Sequence, residues 1–247
     1  MAKTKIEWAD EVWNPVWGCR NECPYCYARK IAKRFGVNAL QKSFVPQWVD
    51  ANFERRFAKG TKRVFVNSMS DVQFWSVYWW KLVLDRIAKF PEIDFIFLTK
   101  GDVNVYAPHL LDMSKNCILG YTVTSRKEFM ERTFVFWINN HRVLLTHRLL
   151  LNVEPIQGDF GWHIDDILQS FDWVILGAET GNRKDKVIPD AYWMDSILNT
   201  CTNLHIPLFV KPSLKGIVGD EFYRQEYPAS LIPSDANPVN ELTGGGK

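Results

Sequence analysis

Cys19, Cys23 and Cys26 stand in the stretch "GCRNECPYCYA" with the spacing C-x3-C-x2-C. Thiolates bind soft and borderline metals. A closed structural zinc site takes four ligands, usually as two C-x2-4-C pairs. Here the motif supplies three. The remaining cysteines, Cys117 and Cys201, lie far away in an apolar run and an amphipathic stretch, and read as small core residues. The five histidines are also remote in sequence, although one of them could complete a zinc site in space. A cubane [4Fe–4S] cluster has four irons, and full cysteine ligation takes four thiolates. Three thiolates leave one iron with an open position where a substrate or cofactor can bind. The expected centre is therefore a [4Fe–4S] cluster on Cys19, Cys23 and Cys26, with zinc as the alternative. Arg20, Arg29, Lys30, Lys33 and Arg34 surround the motif. They either offset cluster charge or form a solvated helix face.

The elements that must position this loop are read from hydrophobic patterning. Short, nearly continuous apolar runs occupy Arg63–Val66, Asp94–Leu98, Cys117–Val123, Arg148–Val153, Trp173–Gly177 and Pro207–Val210. Such runs fit parallel strands covered on both faces. A strand around Val12–Trp17 begins the series. Amphipathic stretches at Gln47–Lys59, Val77–Phe90, Arg126–Asn140 and Asp190–Asn203 alternate with the strands and read as helices. Repeated strand–helix units with right-handed crossovers predict an α/β fold, a partial (β/α) barrel of about six to seven parallel strands. Residues 1–227 form this unit, and residues 228–247, rich in Pro, Ser, Asn and Gly, form an irregular tail.

Polar residues cluster just after the strands: Asn67, Ser68, Ser70 and Asp71; Thr99 and Lys100; Thr122 and Thr124; Glu154; Glu179 and Thr180; and Lys211. In a parallel barrel these ends share one face, and the cysteine loop follows the first strand into the same register. Glu154, Glu179, Lys100 and Lys211 are the candidate catalytic groups, since a buried carboxylate facing a lysine can bind a polar substrate or pass a proton. The alternative is structural: ion pairs Glu154–Lys211 or Glu179–Lys100 inside the barrel. The turn Asn67–Asp71 can also serve as a helix N-cap.

Composition sets the remaining bounds. The chain has 247 residues, 47% of them apolar and 23% charged, with a net charge of +2, ordinary for a globular protein. That charge does not by itself predict nucleic-acid binding. No apolar run reaches the roughly 20 residues of a membrane span, and the first residues do not read as a signal peptide. Five cysteines are too few for a disulfide framework in a chain this long, which leads to the expectation of a reducing, cytoplasmic location. The aromatic content, 14% with 11 Trp, is the unusual figure. Core packing accounts for single aromatics such as Trp137 and Trp193. The run "QFWSVYWW" adjoins a mouth loop and is weighed equally as a substrate or partner surface. Trp13 and Trp17 flank the cysteine loop.

The three-cysteine spacing, with Tyr25 just before the last cysteine, resembles the signature of radical S-adenosylmethionine (SAM) enzymes. In that superfamily SAM chelates the open iron, and its reductive cleavage gives a 5′-deoxyadenosyl radical that abstracts hydrogen from a substrate. The resemblance implies a partial TIM-type barrel with the cluster loop after the first strand. It also implies that Tyr25 lies against the adenine and that Asn67, Ser68, Ser70 and Asp71 stand where the superfamily holds the SAM amino group. Thr122 and Thr124 then face the ribose or the SAM carboxylate. A narrower likeness runs from about Thr4 to Pro212. The blocks "TKIEWADEVWNPVWGC", "VFVNSMSD", "FIFLTK", "LLNVEPIQG", "DWVILGAETG" and "IPLFVKP" resemble, in order, those of the phage Gp37/Gp68 family, a radical-SAM-like group. The departures are the gap between Cys19 and Cys23, three residues here and often longer in that family, and several mouth residues: Val72-Gln73-Phe74, Gly101-Asp102 and the Ala178 and Thr180 of "GAETG".

Taken together these readings lead to the expectation of a radical SAM enzyme with two cofactors, a [4Fe–4S] cluster and SAM, and an external one-electron reductant. The expected substrate is a nucleic acid or nucleotide. A small metabolite or peptide substrate, and a non-catalytic iron–sulfur module working with a partner protein, are the alternatives.

Overall fold

The computed structural model describes residues 4–131, 147–161 and 164–229. Among these the strands are β1 Glu11–Val12, β2 Val16–Trp17, β3 Gln47–Trp48, β4 Arg63–Phe65, β5 Asp94–Thr99, β6 Cys117–Val123, β7 Arg148–Val153, β8 Trp173–Leu176 and β9 Leu208–Val210. The principal sheet has the order β1-β4-β5-β6-β7-β8-β9, and every neighbouring pair is parallel. The parallel strands follow one another in sequence order and curl into a half-barrel. Helices α1 Tyr27–Phe35, α2 Ala39–Ser43, α3 Asp50–Phe53 and α4 Val77–Ile87 lie in the first half of the chain. The helix Asp195–Asn203 lies in the second half.

The apolar runs are continuous because both sheet faces are covered. On the outer face Val64, Phe95, Phe97, Leu119, Tyr121, Leu151 and Val174 share one core with Val83, Leu84 and Ile87 of α4 and with Ile197 and Leu198. On the inner face Phe65, Ile96, Ile118, Leu150, Ile175 and Phe209 close around Trp8. Each of the buried aliphatic side chains contributes about 1.5–3 kcal/mol. Side chains alternate along a strand with a period of two. The inner-facing positions two or four residues beyond this apolar layer are Asn67, Lys100, Thr122, Asn152, Glu154, Glu179 and Lys211. The pleat thus turns an apolar floor into a polar upper storey at the C-terminal ends of the strands.

Several elements differ from the sequence expectation. Val12–Trp17 is broken at Pro15, which has no N–H to give a ladder. β1 joins β4, whereas β2 pairs antiparallel with β3 in a separate two-stranded sheet. Gln47–Lys59 forms β3 and the single turn α3 instead of a helix, because β2 captures its first residues. The aromatic side of that stretch is buried by stacking: Phe53 and Phe57 pack against Trp13, and Trp48 against Phe53. Val77–Phe90 becomes α4, with the Ser76 hydroxyl accepting from the Trp79 N–H at 3.2 Å. In "QFWSVYWW" Trp75 and Trp80 are buried against Phe97, and Trp80 also stacks on His109. Tyr78 is exposed. The cluster is therefore mainly core and supplies no continuous aromatic surface. Cys117 and Cys201 are fully buried core residues. The helix expected at Arg126–Asn140 is seen over residues 126–131; the rest, including Trp137, lies outside the described residues, as do residues 230–247 of the expected tail. Among the described residues no helix is long and apolar enough to cross a membrane.

Candidate functional site

The cysteine loop is fastened by backbone where it begins. Gly18 N–H donates to the Met69 carbonyl and Cys19 N–H to the Phe44 carbonyl, both at 2.9 Å. Gly18 has φ +110°, and a Cβ there would lie 2.2 Å from the Val45 carbonyl oxygen. Only glycine serves at that point. Cys26 is the N-cap of α1, its Sγ accepting from Arg29 N–H at 3.3 Å, and Cys19 Sγ accepts from Asn21 N–H at 3.4 Å. Trp17, Phe44, Met69, Ala28 and Ala32 pack behind Cys19 and Cys26. The three thiols are half-buried and unpaired as disulfides. Burial pushes the Cys19 thiol up to about 12, and burial also raises that of Cys23. A coordinated metal reverses this preference by stabilising the thiolate.

All three cysteines open onto one cavity at the C-terminal ends of the strands. Tyr25, Asn67, Ser68, Ser70, Asp71, Lys100, Thr122, Glu154, Glu179 and Lys211 line the same cavity. Thr124 does not; its backbone N–H and hydroxyl both go to Glu128 Oε2, at 2.8 and 3.1 Å, so it closes the turn after β6.

Several of these residues play a different part from the one expected. Asp71 is buried, and both of its oxygens are occupied. Oδ1 accepts from Thr99 Oγ1 at 2.7 Å and Gln73 N–H at 3.2 Å. Oδ2 accepts from Asn21 Nδ2 at 2.7 Å and Lys100 N–H at 2.8 Å. A carboxylate offers about four acceptor positions, so Asp71 has none left for a ligand ammonium. It is a clamp that joins the cysteine loop to the ends of β4 and β5. Asn67 pairs its side-chain amide with the Leu98 backbone, donating to the carbonyl at 2.5 Å and accepting from the N–H at 3.0 Å. The Ser68 hydroxyl donates to Asn14 Oδ1 at 3.1 Å, and the Ser70 hydroxyl accepts from Trp75 Nε1 at 3.1 Å.

The far wall carries the charge. Lys211 Nζ meets Glu154 Oε1 at 2.5 Å and Glu7 Oε2 at 3.6 Å. Burial works against the Lys211 ammonium, but the Glu154 carboxylate wins and holds it above the usual lysine range. A Cβ on Gly177 would lie 2.9 Å from Lys211 Cδ and 3.1 Å from Glu154, so the absent side chain makes room for this pair. Glu179 pairs with Arg183 through two bonds of 2.7 and 2.8 Å, and not with Lys100. Lys100 Nζ donates to the Glu154 carbonyl at 3.1 Å and lies 5.0 Å from the centre of the Tyr25 ring. Burial lowers its pKa.

Sequence reasoning passed over three contributors. Asn21 lies inside the motif and holds Asp71. Asn14 accepts from Ser68 and from Met69 N–H. Asn152 is buried, lines the cavity and donates to Thr122 Oγ1 at 3.2 Å, while its Oδ1 has no hydrogen-bond partner. A lone amide in the apolar run "RLLLNV" was the signal for it. Among the described residues no group of three or more His, Cys, Asp or Glu side chains is gathered to hold a metal ion.

No curated protein and no solved structure matches the chain. A family model described as "Protein of unknown function (DUF5131)" matches residues 3–216. The match spans most of the sequence, and the protein belongs to that family.

Proposed function

We propose that the protein is a radical SAM enzyme, a relative of the phage Gp37/Gp68 group with a TIM-type half-barrel, that uses a [4Fe–4S] cluster and SAM on a nucleic acid or nucleotide in the reducing cytoplasm. The observation that carries this reading is that three unpaired thiols, spread along one loop, all line a single cavity at the C-terminal mouth of a parallel half-barrel. A single zinc ion needs its sulfurs drawn to about 2.3 Å from one point. A cubane takes its thiolates at three separate corners, a looser demand that suits cysteines spread along a loop. Two of the sulfurs accept backbone N–H bonds within the loop, Cys19 from Asn21 and Cys26 from Arg29, which fix where they sit. The orphaned Asn152 Oδ1 is an acceptor awaiting a donor from a bound molecule.

When bound, the cluster and SAM supply a one-electron reductive cleavage that ends in hydrogen abstraction from the substrate, the electron coming from an external reductant. Within this reading Cys19, Cys23 and Cys26 hold the cluster. Asp71 and Asn67 fix the wall beneath it. Asn152 Oδ1 accepts from a hydroxyl or amide of the bound molecule, with the Thr122 hydroxyl beside it. Tyr25 and Lys100 lie side by side in the cavity wall. Lys100 Nζ, held by the Glu154 carbonyl at 3.1 Å, is a hydrogen-bond donor inside the cavity. Lys211 and Glu154 neutralise each other and position the far wall.

The test is iron and sulfide analysis of anaerobically reconstituted protein, with electron paramagnetic resonance before and after SAM. The expected result is about four irons per chain, with a spectrum that SAM perturbs. Zinc in place of iron, or a spectrum indifferent to saturating SAM, overturns the proposal.

A further inference from the structure

The charge of the chain is distributed very unevenly. Residues 20–42 contain Arg20, Arg29, Lys30, Lys33, Arg34 and Lys42 against the single acid Glu22, a local +5 on a chain whose net charge is +2. Everything outside that segment therefore sums to −3. The segment is the cysteine loop with α1 and α2, and it forms one rim of the cavity. Apart from Arg29, which is half-buried, its basic side chains are exposed. The loop that follows Glu179 carries the exposed Lys184 and Lys186, with the exposed Asp185 between them. Lys30 from α1 and Lys186 both act electrostatically on Glu179, which lines the cavity, so the two segments approach the same opening.

Aromatic rings stand among these charges. Tyr27 is 51% exposed, lines the cavity and is anchored by its hydroxyl, which donates to the Ser68 carbonyl at 3.0 Å. Phe35, at the other end of α1, is 60% exposed, with the Arg34 guanidinium 4.9 Å from its ring centre. A helix of nine residues spans about 13 Å. Two open rings at that separation, with cations between them, make a stacking and phosphate-binding track that leads to the cavity.

We infer that the α1 rim, facing the 184–186 loop, binds a single-stranded nucleic acid and delivers one nucleotide to the cavity. This deepens the function proposed above by fixing the substrate class, and it rests on that reading for the chemistry, although binding itself needs no cluster. Single strands are favoured because stacking on Tyr27 and Phe35 needs unpaired bases, and because a base held inside a duplex cannot reach a cavity until it is unpaired. The acidic remainder of the chain repels a polyanion elsewhere, so the footprint is short.

The test is fluorescence anisotropy of the reconstituted protein with labelled RNA and DNA strands of about 12 nucleotides, with the matching duplexes and with polyglutamate, across a salt series. A single strand should bind most tightly, with a log–log salt slope of about −3, corresponding to about four phosphate contacts. Reversing Lys30→Glu and Arg34→Glu together should weaken binding about tenfold or more and flatten the slope by about 1.4. Lys59→Glu with Lys62→Glu makes the same change in charge before β4, at the opposite end of the strands, and should have little effect. Tyr27→Ala should weaken single-strand binding with no change in salt slope. Equal duplex binding, an equal loss in the Lys59/Lys62 control, or an indifferent Lys30/Arg34 variant overturns the inference. Tighter binding of polyglutamate also overturns it and assigns the surface to an acidic protein. Iron content measured on the same samples separates failure of this surface from failure of the cluster reading.

Discussion

Asn21, midway between the first two cysteines, donates its side-chain amide to Asp71 Oδ2 at 2.7 Å. Through that one bond the loop that carries the thiols is tied to a carboxylate that also holds Thr99 and the Lys100 backbone at the end of β5. The positions of the three sulfurs are therefore set by the barrel as well as by their own short loop.

Replacing Asp71 removes this clamp. Asp71→Ala leaves buried donors from β5 and from the cysteine loop without an acceptor, and should cost about 3 kcal/mol in urea unfolding. Asn21→Ala removes the bond to Asp71 and the one that its Oδ1 accepts from Gln73 Nε2 at 2.8 Å, and should cost about 1–2 kcal/mol. Both variants should retain less iron than the wild type after reconstitution and desalting. Equal iron retention in both would show that the loop is rigid without its tether.

Lys211 and Glu154 form a half-buried ion pair, and Lys211 is the cation in direct contact with that carboxylate. Lys211→Met should destabilise by about 3 kcal/mol because it strands Glu154. Adding Glu154→Leu to that variant should recover part of the loss. Additive losses in the double-mutant cycle would mean that the two side chains do not depend on each other.

Gly18→Ala tests the entry of the cysteine loop. The new methyl group meets the Val45 carbonyl at 2.2 Å and the backbone sits at φ +110°. Stability should fall by about 2 kcal/mol or more. Gly60→Ala is a useful comparison, with φ +86° but nothing within 4 Å of the added atom. It should cost only the backbone term, about 1 kcal/mol. Equal losses at the two sites, by thermal or urea unfolding, would mean that the contact with Val45 relaxes freely.

Glu179 gives a pH signature. The Arg183 hydrogen bonds hold its carboxyl below the ordinary value of 4.5. Its contribution to stability is therefore complete above pH 4.5 and is lost as the pH falls through the lowered folded value. Arg183→Gln should return the folded pKa towards 4.5 and move acid unfolding, followed by circular dichroism, to higher pH. An unchanged acid limb would mean that other carboxylates control that transition.

The parallel core was legible because its strands are buried on both faces and read as unbroken apolar runs; β6 and β7 fall where the residues put them. Helix Gln47–Lys59 was misread because Trp48, Phe53 and Phe57 have an apolar spacing that a helix and an aromatic stack around Trp13 satisfy equally. The grouping of polar residues at one mouth followed from parallel topology alone. Their division of labour did not. Whether Asp71 offers its oxygens to a ligand depends on Asn21, Gln73, Thr99 and Lys100 finding it first, and such tertiary partners leave no mark on local pattern. Arg183 as the partner of Glu179 was open to prediction from its spacing of four residues, but that spacing suggests a helix, and here it is a loop.

The central claim is that the thiol-lined cavity activates SAM, and the most direct measurement is anaerobic incubation of reconstituted protein with SAM and dithionite, followed by chromatography for 5′-deoxyadenosine. The account predicts steady formation of that product by the wild type and by Cys117→Ala and Cys201→Ala, and none by Cys19→Ala, Cys23→Ala or Cys26→Ala. No product from an iron-replete wild type, or product that survives the loss of any of the three motif cysteines, would contradict it.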